Sequence, residues 1–283
     1  MMRSLYSGIT GLRNHQTRMD VIGNNIANVN TAGYKYSRTV FQDLYSQSMG
    51  AASASTASRG GTNPNQIGLG VTLNSIDIIH TQGAAQYTGT WLDNMIDGDG
   101  YFVKRIYESD GTTPYETVYT RAGNFYLDNN DYLVDADGMF IMGYTSPVPD
   151  TPTQADLAKI LIDDATYYNV KIDDKGMVSG INRGTGLVED ISQLAIATFA
   201  NISGLEKAGG NNYVNTPNSG NAVYGKAGGA GVGVINPNAL EMSNVDLATE
   251  FTDMIVTQRG FQANSRTITV SDTMLEELIN LKR

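Results

Sequence analysis

The stretch 245–283 limits what this chain can fold into more than any other. Apolar residues recur there at Leu247, Phe251, Met254, Phe261, Ile268, Leu275 and Ile279, and Gln258, Ser265 and Asp272 complete a spacing of four and three. A strict heptad seam of this kind favours helix-on-helix packing with a left-handed supercoil. Ser243 followed three residues later by Asp246 resembles a capping box and marks the start. Proline is absent from the run and Gly260 is its one glycine. A helix of this length spans roughly 55 Å. That is too long for one domain of this size to cover, so the seam needs other helices.

The opposite end of the chain offers one. Leu5, Ile9, Leu12, Met19 and Ile26 repeat the spacing, Gln16 and Gly23 fill polar or small slots, and Ile22 and Val29 widen the stripe. Gly8, Gly11 and Gly23 each cost about 1 kcal/mol of helix propensity against alanine. The expected helix over 1–30 therefore forms mainly when packed. Asparagine side chains compete with the backbone for hydrogen bonds. In 24–35, "NNIANVNTAGYK", Asn28, Asn30 and Gly33 are expected to end the helix and turn the chain. Residues 46–66 are rich in Ser, Ala, Gly, Asn and Thr, and 31–70 reads as an extended connector.

The 283 residues carry a formal charge of −10. An acidic chain is repelled by phosphate backbones, so neither nucleic acid nor an anionic membrane is an expected partner. Residues 1–40 run the other way, with Arg3, Arg13, Arg18, Lys35 and Arg38 against Asp20. Cysteine is absent, which excludes disulfides, Cys-based zinc sites and thiol catalysis. The first residues lack an apolar core of the secretory type, and no apolar run approaches the roughly 20 residues that span a bilayer. Export, if it occurs, is expected by a route that uses no cleaved signal.

From residue 71 the period changes to two. Val71, Leu73, Ile76 and Ile78 read as a strand, and short β-like runs follow at 101–107, 116–120, 124–127, 132–134, 139–144, 159–162, 170–172 and 194–199. Turn signals at 97–100, 128–131, 135–138 and 173–176 separate them. The expected fold is α+β: a helical coiled-coil stem from 1–30 and 243–283 carrying an all-β, sandwich- or barrel-like head over 71–242.

Chemistry-bearing patterns are weak. Residues 220–226, "GNAVYGK", have the spacing of a phosphate loop, but Ala227 stands where Ser or Thr must reach magnesium, and no amphipathic helix follows. The Asp/Gly turns lack an EF-hand continuation, so hairpin turns explain them. Nothing singles out a carboxylate pair for glycoside chemistry. His15 and His80 are the only histidines. No catalytic, metal or cofactor site is expected.

Four segments nevertheless share a pattern. "SLYSGITGLRNHQTRMDVIGNNIANVNTAGYK" (4–35) resembles the N-terminal signature of bacterial flagellar rod and hook proteins. Residues 92–103, "LDNMIDGDGYFV", and 119–144 resemble their β-domain motifs, and 244–283 resembles their C-terminal helix. "GGTNPNQIGLG" (60–70) and the chain end look most like a short hook protein, with the distal rod protein as the alternative. The resemblance implies a tubular homopolymer with the terminal helices inside, enclosing an export channel, and the β domain outside. The hook reading makes it a universal joint passing motor torque to the filament. The implied subunit-interface residues are Leu5, Ile9, Leu12, Met19, Ile22, Asn24, Asn25, Ile26 and Asn28, with Leu247, Phe251, Met254, Gln258, Phe261, Ile268, Leu275 and Ile279 from the last helix. Implied partners are further copies of the chain, the distal rod protein, the hook cap, the hook–filament junction protein and the flagellar type III export apparatus. The implied location is the flagellar hook and basal body, outside the cell after export. A secreted enzyme and a monomeric binding module are the competing classes.

Overall fold

The computed structural model describes residues 2–56, 59–107, 114–146, 153–229 and 231–281. The chain is α+β and divides into two units. One comprises Met1–Ala27, Ser37–Ile79 and Val245–Arg283; the other comprises Asn28–Tyr36 and His80–Asn244.

The first unit is built on helix α1, Met2–Ala27, and helix α2, Leu247–Asn280. The cap of α2 is Asp246 and not Ser243. Its carboxylate accepts from the Ala248 N–H at 3.1 Å and the Thr249 hydroxyl at 2.6 Å, satisfying donors that the first turn cannot pair internally. No helix among the described residues is long and apolar enough to cross a membrane.

The stretch expected as an extended connector is largely a two-stranded ribbon. Ser37–Asp43 pairs antiparallel with Val71–Ile78, with a bulge between Val40 and Phe41. Ser46–Gly50 pairs with Asn65–Gly68, and Ser53 bridges Thr62 beyond them. Side-chain propensity hides these strands because a backbone ladder needs no β-branched residues, and every residue of Asn65–Gly68 is exposed. Gly70, at φ +123°, lies so close to the Thr10 side chain that a Cβ has no room.

In the second unit one antiparallel sheet dominates. Its main path runs Tyr167–Ile172, Met177–Asn182, Val188–Thr198, Phe140–Thr145, Tyr101–Tyr107, Pro114–Thr120, Asn212–Val214 and Glu206–Gly209. Val188–Thr198 pairs along part of its length with both Phe140–Thr145 and Tyr101–Tyr107, which also pair with each other: Leu194 lies opposite Gly143, and Ile196 opposite Phe102. The sheet therefore bends round on itself, and its central strands are buried on both faces. Phe102, Ile141, Leu194 and Ile196 enter one apolar cluster, while Tyr101, Val103, Met142, Tyr144, Ala195 and Ala197 enter the other. Two-sided burial explains why 101–103 and 194–197 read as short apolar runs and not as alternation. Smaller pairings join Val234–Pro237 to Asn94–Asp97 and Ala239–Glu241 to Ala85–Tyr87.

A buried ionic knot holds the Asn28–Tyr36 turn inside this unit. Lys35 is 1 % exposed and Glu241 equally buried; the ammonium meets the carboxylate at 2.6 Å and the Thr81 carbonyl at 2.9 Å. Arg121 approaches the same carboxylate at 3.4 Å and donates to the carbonyls of Ile96 at 3.2 Å and Gly98 at 2.7 Å. The Gly33 N–H donates to the Glu241 carbonyl at 2.8 Å. Gly33 has φ +72°, and a Cβ there would sit 2.7 Å from the Ala122 nitrogen, so the turn passes only as glycine. Burial pushes the Lys35 amine down, and the Glu241 charge opposes that shift. His80 Nδ1 shares a 2.7 Å hydrogen bond with the Tyr101 hydroxyl, while its Nε2 is buried without a partner. Burial first, and then Lys35, Arg121 and Lys207, lower His80 to about 4.

Two expectations follow. Because the folded His80 titrates below its unfolded value of about 6.5, it contributes stability above pH 6.5 that is lost as the pH falls toward 4. The loss is on the order of 3 kcal/mol. Thermal melts of the wild type against His80→Gln across that window check it, since the variant lacks this part of the slope. Glu241→Ala leaves two cations buried without their carboxylate and is expected to cost about 3–5 kcal/mol, read as a lower melting temperature.

Candidate functional site

The two helices meet along a seam of small and polar side chains. On α1 the seam residues are Ser4, Gly8, Gly11, His15, Arg18, Ile22 and Asn25, at steps of four and three. The Ser4 and Ser271 hydroxyls lie 3.4 Å apart. A Cβ on Gly8 would meet Thr267 Oγ1 at 3.1 Å, and one on Gly11 would meet the Asn264 amide nitrogen at 2.6 Å. His15 lies over Gly260, where a Cβ would meet the imidazole at 2.6 Å. Arg18 pairs with Asp253 at 2.9 Å. The pairing is antiparallel, and glycines on both helices let the backbones approach.

At the end of the seam Asn25, 1 % exposed, ties three elements together. Its amide donates to the Ser37 carbonyl at 2.8 Å and to Glu250 at 3.2 Å, and its oxygen accepts from the Ser37 N–H at 3.1 Å. The side chain therefore pairs with the backbone of the first ribbon strand as a neighbouring strand would. Burial raises the Glu250 carboxyl, and the Asn25 bond partly offsets this. Burial lowers His15, with nearby Arg18 adding to the shift.

The apolar heptad lies beside this seam and not in it. Leu247, Phe251, Phe261 and Ile279 are exposed, Phe251 by 50 % and Ile279 by 67 %. Met254, Ile268 and Leu275 are half-buried, and Gln258 is exposed. On α1 Ile9 is exposed, while Leu5, Leu12, Met19 and Ile26 are half-buried. Asn24 is exposed, and the Asn28 side chain accepts from the Thr31 hydroxyl at 3.1 Å within the turn. Ile22, at 4 % exposure, and Asn25 are exceptions. Both are covered by their own chain and have no surface to offer a neighbour. The true α1 seam is one residue out of register with the apolar stripe. The glycines at 8, 11 and 260 were its signal, legible as close-approach positions instead of as lost helix propensity.

Other motifs resolve into structure. Lys226 and Gly225 lie on the strand Val223–Lys226, with Gly225 opposite Ile196, and the next element is another strand. A phosphate cradle needs a loop feeding a helix N-terminus, and this segment has none. The Gly138 N–H bonds the Asp135 carbonyl, and the Gly176 N–H the Asp173 carbonyl, each at 2.9 or 2.8 Å, as hairpin turns require. Among the described residues no group of three acidic or histidine side chains is placed to hold a metal ion.

Comparison with known proteins covers both units. Three family profiles match: "Flagella basal body rod protein" over 5–35, "Flagellar hook protein FlgE/F/G D1 domain" over 95–180, and "Flagellar basal body rod FlgEFG protein C-terminal" over 236–281. The flagellar basal-body rod protein FlgG of Bacillus subtilis is 50 % identical over 284 residues, covering 100 % of both chains. The FlgG of Borreliella burgdorferi is 35 % identical over 286 residues, again with full coverage of both. The flagellar hook protein FlgE of Borreliella burgdorferi is 33 % identical over 449 residues, with 100 % of each chain covered. The exposed apolar helices and these end-to-end matches agree: the chain belongs to the flagellar rod and hook protein family and is a structural axial subunit of the bacterial flagellum.

Proposed function

We propose that this chain is the distal rod subunit, a straight drive shaft segment, and not a hook subunit. The supporting observation is the length and level of the match. Identity to a rod protein is 50 % over 284 residues, against 33 % to a hook protein across an alignment of 449. An alignment that long leaves extended hook stretches without a counterpart in a chain of 283 residues. The motifs at 60–70 and at the chain end, which suggested a hook, lie within the full-length matches to both kinds of relative and so do not separate them.

In this reading α1 and α2 form the inner coiled-coil stem with helices of neighbouring copies. Leu5, Ile9, Leu12, Met19 and Ile26, with Leu247, Phe251, Met254, Phe261, Ile268, Leu275 and Ile279, are the contacts; Asn24, Asn28 and Gln258 contribute polar contacts beside them. Burying these side chains between copies adds roughly 1.5–3 kcal/mol for each large one. A contact that does not close on itself generates a helical filament. The ribbon from Ser37 to Ile78 is the second contact, because an isolated two-stranded ribbon is marginal in water. Partners beyond the chain itself are the axial proteins at either end of the polymer and the flagellar export apparatus.

Electron microscopy of the purified chain, driven to polymerise by a precipitating salt, tests the reading. Uniformly straight tubes are expected, whereas curved or polymorphic tubes would return the protein to the hook. Phe251→Asp, Met254→Asp and Phe261→Asp together are expected to abolish tubes while the β unit keeps its circular dichroism. Normal tubes from that variant contradict the role of the helix face.

A further inference from the structure

The seam spacing of α2 continues beyond the residues that meet α1. From Glu250 to Ser271 its steps of three and four fall on small or polar side chains. Ser271, against Ser4 in the first turn of α1, is buried. The next steps fall on Met274, Leu278 and Leu281, all exposed, Leu281 by 82 %. Leu275 and Ile279 widen this row into a broad apolar face over the last two turns. Successive residues turn by about 100° around a helix, so Glu276 and Glu277, both exposed, lie on either side of that face.

A second exposed face lies farther back on the same helix. Val256, Ala263 and Val270 recur every seven residues, and all three are exposed. Arg259 and Arg266 run beside them at the same interval, also exposed. Arg259 donates to Gln262 of its own helix at 3.3 Å. Among the described residues neither arginine forms an ion pair, and neither does Glu276 or Glu277. This face, like Met274, Leu278 and Leu281, lies outside the stripe that holds Phe251 and Phe261.

We infer that these two faces meet between copies. The last two turns of α2 lie along 256–270 of α2 in a second copy, with Glu276 and Glu277 beside Arg259 and Arg266. Apolar residues at steps of three and four accept a helix. Among the described residues α1 and α2 are the only α-helices, and within one chain they already pair with each other. The occupant is therefore a helix of another copy. Charge selects which face, since one flanked by two glutamates complements one flanked by two arginines. Neighbouring copies then carry α2 in parallel, offset by about 22 Å along its axis. Unlike faces meet, so the contact does not close on itself and repeats along the polymer. The docking rests on the self-assembly proposed above and supplies one contact within it.

Disulfide trapping in this cysteine-free chain tests the contact. Full-length Leu278→Cys and Ala263→Cys chains, mixed and oxidised with copper phenanthroline, are expected to give dimers that grow no further. The double variant gives a ladder of oligomers, and either single variant alone gives at least tenfold less dimer than the mixture. Glu276→Lys with Glu277→Lys in the Leu278→Cys chain is expected to lower the yield at least fivefold. Arg259→Glu with Arg266→Glu in the Ala263→Cys chain restores it, with helical circular dichroism unchanged throughout. Single variants that dimerise as readily as the mixture, or charge reversals without effect, overturn the inference. Restoration by Arg13→Glu instead of the two α2 substitutions also overturns it, and seats the end of α2 on a neighbour's α1. The shape of wild-type tubes, which separates rod from hook, plays no part in this readout, so the two readings fail separately.

Discussion

Two helix backbones can approach closely only where the side chains between them are small. That constraint decides how α1 and α2 meet. With Gly8, Gly11 and Gly260 in the seam, the space between the helices is filled by His15, Asn264 and hydroxyl side chains. No room remains there for Phe251, Phe261 or Leu247, which stay on the outside. This exposed apolar stripe, along a helix of about 50 Å, is what supports the proposal that neighbouring copies cover it. A polar seam also sets register. Arg18 with Asp253, and Asn25 with Glu250, match only in one alignment of the two helices, which an all-apolar seam would leave loosely specified.

Within the β unit, order comes from a different source. Its central strands bury both faces, so apolar packing supplies the bulk of the stabilisation. The ionic knot then fixes where the Asn28–Tyr36 turn lies. Lys35, Glu241 and Arg121 are too buried for the arrangement to tolerate a missing partner. Lys104 and Asp135 form a second buried pair, reaching across the strand Phe140–Thr145, with which both of their own segments pair. Buried pairs of this kind add little net stability against an apolar core, but they penalise wrong arrangements heavily.

Much of this was legible in the residues. The strand Tyr101–Tyr107 matched its expected bounds, and α1 and α2 lay where the heptad spacing put them, each within a few residues at its ends. What escaped has physical reasons. Ser46–Gly50 and Asn65–Gly68 carry small polar residues and are held by a ladder to each other, so composition disguised them as a linker. Asn94–Asp97 hid at the edge of an Asp/Gly turn, because its partner, Val234–Pro237, lies far along the chain. The helix seam was displaced by one residue because glycine leaves no apolar signature. His80, unremarkable in the sequence, is shifted by burial first and then by Lys35 and Arg121, and it bonds Tyr101, all of which only folding brings about.

The absence of cysteine allows one unambiguous probe of the helix face. A single Phe261→Cys substitution places one thiol on the outward stripe, and its rate of reaction with a soluble maleimide can be compared before and after polymerisation. Labelling at least tenfold slower in the polymer is expected if neighbouring copies cover that face. A thiol that reacts equally fast in both states would show that the outward stripe is not the contact on which assembly rests.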